Sequence, residues 1–109
     1  MKTSKNIYIP DQLLCNYIRS LIGQFYKILP IKESGEPSLS KYIDSLQREL
    51  MGCQGLIPAL KFDEHYLSLL AILQYHYENE CPVETVRSDI FKAINICKKL
   101  ANKLDAEGC

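Results

Sequence analysis

The sequence predicts a single all-α domain, a small four-helix bundle, on three observations. Apolar residues recur at spacings of three and four along most of the 109 residues, no run alternates apolar and polar as a half-buried strand would, and most prolines and glycines fall between the periodic stretches. A hydrophobic fraction of 47% with five Gly and five Pro is the composition of a packed core rather than a disordered chain. So short a chain holds one core, so residues 1–109 are expected to form one domain, with 1–8 and 105–109 frayed.

The first helix is predicted over 10–29. Pro10 and Asp11 open it, and Leu13, Leu14, Tyr17, Ile18, Leu21, Ile22, Phe25, Ile28 and Leu29 form one wide apolar stripe, which Pro30 is expected to stop. Gly23 and Ser20 make a small-residue patch away from that stripe, where another backbone could approach. The segment 30–37, with two prolines and a glycine, reads as an exposed loop. Ser38 or Ser40 then caps a second helix, 39–51, whose buried stripe is Leu39, Tyr42, Ile43, Leu46 and Leu50; Gly52 suits its end.

Residues 53–62 form a connection unusually apolar for a loop, suited to plugging the open end of a bundle or to meeting another protein. Asp63 is a good N-cap for the third helix, 64–78, whose middle from Tyr66 to Leu73 is apolar on nearly every side. Cys81-Pro82 marks a break, and proline at a first helical position starts the fourth helix, 82–104. There Val83, Val86, Ile90, Ala93, Cys97, Leu100 and Leu104 repeat as a seam of the coiled-coil type. Helices of these lengths span about 22–35 Å, which suits a bundle with short connections, open to completion by self-association.

Thirteen Lys plus Arg balance thirteen Asp plus Glu, so bulk charge gives no help toward nucleic acid or an acidic membrane surface. The balance is uneven along the chain. Residues 63–81 hold Asp63, Glu64, Glu78 and Glu80 with no Lys or Arg (−4), and 82–104 hold Arg87, Lys92, Lys98, Lys99 and Lys103 against Glu84 and Asp89 (+3). Acids at a helix start and lysines at a helix end complement the helix dipole, but Glu78 and Glu80 stand at the wrong end. Lys92, Lys99 and Lys103, with Asn95 and Asn102, line one stripe suited to phosphates. The stretch 84–90, Glu-Thr-Val-Arg-Ser-Asp-Ile, looks like the start of a recognition helix in some helix-turn-helix repressors; the preceding segment lacks the short helix and tight turn, and the helix runs on too long. Nucleic acid is therefore disfavoured as a partner, and a dimeric nucleic-acid-binding regulator is the alternative reading.

The leading expectation is a small helical protein that acts by binding protein. The third helix carries more apolar surface than three neighbours cover, and the apolar connection adds to it, so Leu56, Ile57, Leu60, Phe62, Leu69 and Ile72 are the candidate interface residues. A homo-oligomer, dimer or tetramer, is expected, with room for a further protein partner. The composition is also like that of the small accessory proteins bacterial mobile elements often encode.

Sites for chemistry are sparse. His65 and His76 lie eleven apart, about 16 Å along a helix, too far for one metal ion. His76, Glu80 and Cys81 are a weak ligand set, and no pair of Glu-x-x-His repeats is present. Cysteines 15, 53, 81, 97 and 109 form no CxxC pair, and Cys15 and Cys97 fall on apolar stripes where a thiol is inert. The turn Gly52-Cys53-Gln54-Gly55 lacks the lysine of a phosphate-cradling loop. No catalytic residue, cofactor or metal is expected, and the protein is not read as an enzyme. The polar start, and the interruption of the first apolar stretch by Asn16, Arg19 and Gln24, point to a cytoplasmic chain with no membrane segment.

Overall fold

The computed structural model describes residues 11–35 and 38–108, with side chains described except at 11, 58–59 and 104–108. Six helical segments follow one another and no strand occurs among the described residues: α1 Asp11–Tyr26, α2 Ile28–Ser34, α3 Leu39–Leu56, α4 Pro58–Lys61, α5 Glu64–Glu78 and α6 Val83–Gly108. The bundle measures 42 × 24 × 19 Å along its principal axes. Among the described residues no helix is long and apolar enough to cross a membrane.

The single helix expected over 10–29 is two. Pro30 does not stop the helical path but moves the break upstream. A proline ring collides with the carbonyl four residues earlier, here that of Tyr26, and α1 ends at Tyr26. Lys27 closes the last turn through its N–H to the Gly23 carbonyl, at 3.1 Å. The helix restarts at Ile28, which places Pro30 in the first turn of α2, where its missing N–H has no intrahelical partner to lose. Gly35 ends α2 with φ of 70°, donating back to the Ile31 and Lys32 carbonyls, a left-handed conformation in which a Cβ is costly.

The second helix also outruns its expected end at 51. Gly52 and Gly55 both lie within α3, and Ile57, in extended conformation, ends it by donating to the Cys53 carbonyl at 2.9 Å. Pro58 then starts the single turn of α4, with no donor to lose at that position. Ile57 and Leu60 are buried, so the apolar connection closes the lower end of the bundle with two of its own residues. At the other terminus α6 continues to Gly108, past the expected end at 104, while the fraying expected of 1–8 and of Cys109 lies outside the described residues.

Cross-helix contacts fix the topology. Cys15 Sγ meets the Ala101 carbonyl and Arg87 meets Glu33, so α1 and α2 run antiparallel to α6. Lys103 with Asp63, and His76 with Asp89, set α5 antiparallel to α6. Tyr66 donates to the Leu50 carbonyl and Gln47 meets Gln74, which sets α3 antiparallel to α5; Tyr42 donates to the Gln24 carbonyl of α1 at 2.7 Å and closes the ring. The long helices therefore alternate up and down.

The α1–α6 pairing is the most extensive. Its small residues explain why: Cys15, Ala93, Cys97 and Ala101 are all fully buried and let the two backbones approach closely. Because α6 faces α1 as well as α5, its buried set gains Ile94 and Ala101 over the seam read from the sequence. Ser20 and Gly23 of α1 are both exposed, and a Cβ at Gly23 would meet open space, so no backbone among the described residues uses that patch.

Among the described residues one buried side-chain polar atom is left over. Tyr17 Oη is buried with no hydrogen-bond partner of good geometry, and burial followed by the neighbouring Cys53 thiol pushes its hydroxyl well above the ordinary 10. An unsatisfied buried hydroxyl costs about 1–3 kcal/mol. Tyr17→Phe is therefore expected to leave stability unchanged or raise it by about 1 kcal/mol in urea unfolding; a clear loss would mean that the hydroxyl has a partner in solution.

Candidate functional site

Two regions have surfaces suited to function, and both are set by α5. Asp63 fixes where that helix starts. Its Oδ1 accepts from the His65 and Tyr66 backbone N–H groups at 2.9 and 3.1 Å, and its Oδ2 takes Lys103 Nζ of α6 at 3.1 Å. Burial works to raise the carboxyl, but the hydrogen bonds from Tyr66, Lys103 and His65 and the lysine charge outweigh it and hold Asp63 below its ordinary 3.8. A carboxyl lowered on folding contributes stability that is complete above its unfolded value and is lost as pH falls through the folded one. Asp63→Ala is expected to cost about 1–2 kcal/mol at pH 7. The gap between variant and wild-type unfolding midpoints should narrow as pH drops below 3.8; a gap independent of pH would remove the carboxylate from the account.

The first region is the outer face of α5 and its seam with α3. The expected interface residues separate here. Ile57, Leu60 and Leu69 are buried in this chain's own core and Ile72 is half-buried, so only Leu56 and Phe62 of the six are freely exposed, Phe62 at 83%. Sequence reasoning missed the residues that do face outward, Leu67 (44% exposed), Tyr75 (50%) and Met51 (55%). Leu67, Ala71 and Tyr75 stand at successive turns of α5, and all three are exposed. Met51 is one turn beyond Gln47 and Leu67 is two turns before Gln74, the two glutamines that meet across the helices. Met51 and Leu67 therefore flank the same seam. The i, i+4, i+8 row was legible in the sequence, but nothing there distinguished it from the equally apolar row that turned inward.

The second region is a cleft of about 480 Å³ at the upper end, where α2 and the start of α3 meet the end of α5 and the start of α6. His76 lines it. The imidazole is 5% exposed and its Nε2 lies 2.7 Å from Asp89 Oδ2 of α6. The sequence grouped His76 with Glu80 and Cys81, its neighbours along the chain; folding instead brings in Asp89, thirteen residues away. Cys81 is buried and Glu80 exposed, and among the described residues no group of three or more His, Cys, Asp or Glu side chains could hold a metal ion.

The lysine stripe is partly engaged. Lys103 is held by Asp63, and Lys92 Nζ lies 3.9 Å from Asp89 Oδ1 on the same helix; Lys99 is exposed. The thiols on apolar stripes are buried as expected, and burial pushes Cys97 up to about 12.

These features define a small all-α bundle of antiparallel helices with an apolar outer face and an end cleft. Comparison with protein-family models, with curated proteins and with solved structures returns no match.

Proposed function

We propose that this protein works by binding protein, first of all a second copy of itself, through the outer face of α5 and its seam with α3. The observation that carries this reading is the exposed apolar set Leu67, Tyr75 and Met51 around Ala71, with Phe62 at the same helix's start. Clustered exposed apolar side chains of this size mark interaction surfaces, whereas scattered ones do not. The core formed by the described residues does not include them, so their apolar character is not explained by the packing of those residues. A regular α5 row also suits a two-fold interface, in which one helix packs antiparallel on its own copy. The assembly is read as a cytoplasmic dimer or tetramer with no catalytic step, and a further protein partner would use the same surface.

The test is absolute mass by size-exclusion chromatography with light scattering, over a concentration series under reducing conditions. The wild-type chain should give a dimer or larger, and Leu67→Glu with Tyr75→Glu should give a monomer with unchanged helicity. A wild-type monomer at every concentration would overturn self-association.

A further inference from the structure

The face shared by α1 and α6 carries an inference independent of the α5 surface. The two helices form the most extensive pairing in the bundle, and their charge is one-sided. Residues 12–27 and 90–103 together hold six basic side chains, Arg19, Lys27, Lys92, Lys98, Lys99 and Lys103, and no Asp or Glu. The neutral total of the chain conceals this patch, because the two segments are distant in sequence and only the fold sets them side by side.

Two rows meet along this face. Cys15 of α1 touches α6, and Arg19 and Tyr26 follow it at four and then seven residues, spacings that keep to one side of a helix. Arg87 of α6 reaches Glu33 of α2, and Phe91 and Lys98 follow it at the same spacings. Equal steps along the antiparallel helices from the contact of Cys15 with Ala101 bring Arg19 level with Lys98, and Tyr26 level with Phe91, each to within one residue. Cation stands beside cation and aromatic beside aromatic, about 10 Å apart along the helices.

All four side chains are exposed, Tyr26 at 55% and Phe91 at 49%. Between Arg19 and Tyr26 lies Gly23, where even a Cβ would meet open space, so the surface of α1 between the two levels is low. Lys92 and Lys103 reach Asp89 and Asp63, whereas no salt bridge among the described residues engages Lys98 or Lys99.

Juxtaposed cations repel one another, and an anion between them relieves that repulsion. Exposed aromatic rings offer planar bases a surface on which to stack. A duplex keeps its bases stacked on one another and presents only phosphates to such a face, whereas a single strand presents both. An acidic protein segment would meet the cations and leave the rings without a counterpart.

We propose that the α1–α6 face binds single-stranded nucleic acid, with phosphates at Arg19, Lys98 and Lys99 and bases stacked on Tyr26 and Phe91.

The probe is a fluorescein-labelled oligothymidylate of about twelve nucleotides, titrated with the full chain and followed by anisotropy. Binding should be saturable, and three phosphate contacts give a slope of about −2 for log affinity against log salt. Phe91→Ala and Tyr26→Ala should each weaken it about tenfold, as the loss of one stacked base does, and Lys98→Glu should weaken it at low salt, all with helicity intact by circular dichroism. No saturable binding at low salt, or unchanged affinity in the folded Phe91→Ala and Tyr26→Ala variants, would overturn the proposal. So would a duplex of the same length, or a polyglutamate peptide, bound as tightly as the single strand; the peptide result would assign the face to an acidic protein segment. The face uses none of the α5 surface, so failure here leaves the protein-binding reading standing.

Discussion

Lysine in place of Leu69 is expected to unfold the protein, not to dissociate an assembly. Read from the sequence, Leu69 belongs to a surplus apolar face, and a charge there would split an oligomer and spare the helices. In the fold Leu69 is fully buried beside Tyr66 and Leu73 on the inward face of α5. An ammonium there has no carboxylate partner and must deprotonate, reach for solvent or break the packing. A cost above about 4–5 kcal/mol follows, a large share of the 5–15 kcal/mol that holds a typical domain together. Far-UV circular dichroism at 25 °C should show the loss of most helicity. A helical, folded Leu69→Lys protein would place Leu69 at the surface and overturn the inward face assigned to α5. Ile72→Lys, at a half-buried position, should be tolerated far better, because the long stem can lie along apolar surface while the charge stays in water.

The second large effect is at Tyr66, the largest fully buried side chain. Its ring is fully buried in the first turn of α5, and its hydroxyl donates to the Leu50 carbonyl of α3 at 2.6 Å. Burial, with the Cys53 thiol beside it, pushes the hydroxyl well above its ordinary 10, so it stays protonated and a donor. Tyr66→Ala removes the ring and leaves a cavity, for which about 3–5 kcal/mol is the usual cost. Tyr66→Phe keeps the ring and loses one hydrogen bond, about 1 kcal/mol. Urea unfolding of the two variants separates packing from hydrogen bonding. Similar losses in both would make the hydroxyl, rather than the ring, the important part.

The opposite expectation at Tyr17 has the same basis. Both tyrosines border Cys53, yet Tyr66 has a carbonyl to satisfy it and Tyr17 Oη does not. Removing a satisfied buried hydroxyl costs free energy, and removing an unsatisfied one does not. No pattern of spacing separates two tyrosines on two apolar stripes. Their partners lie on other helices, and only packing shows which ring finds one.

The same division runs through the surfaces. The row Leu67, Ala71, Tyr75 and the row Tyr66, Leu69, Leu73 are both apolar, so the sequence marks α5 as unusual without saying which row turns inward. The carbonyl of Leu50, presented by α3 to the Tyr66 hydroxyl, selects the second row. The end cleft was less visible still. Its walls come from α2, α3, α5 and α6, and the break that creates α2 lies at Lys27, three residues before the proline that causes it.

What the sequence determined by itself is local. The spacing of apolar residues, the Asp63 cap, the helix start just after Pro82 and the absence of alternating runs specify helices, because a 3.6-residue period and its caps depend on neighbours within a turn or two. Val86, Ile90, Ala93, Cys97 and Leu100 of α6 followed from its seam for the same reason. The tertiary structure decided what depends on distant groups: that His76 meets Asp89, that Leu69 is core while Leu67 is surface, and that Ile57 and Leu60 close the bundle. Burial and pairing are properties of two or more helices together, and an apolar stripe on one helix does not specify which neighbour will cover it.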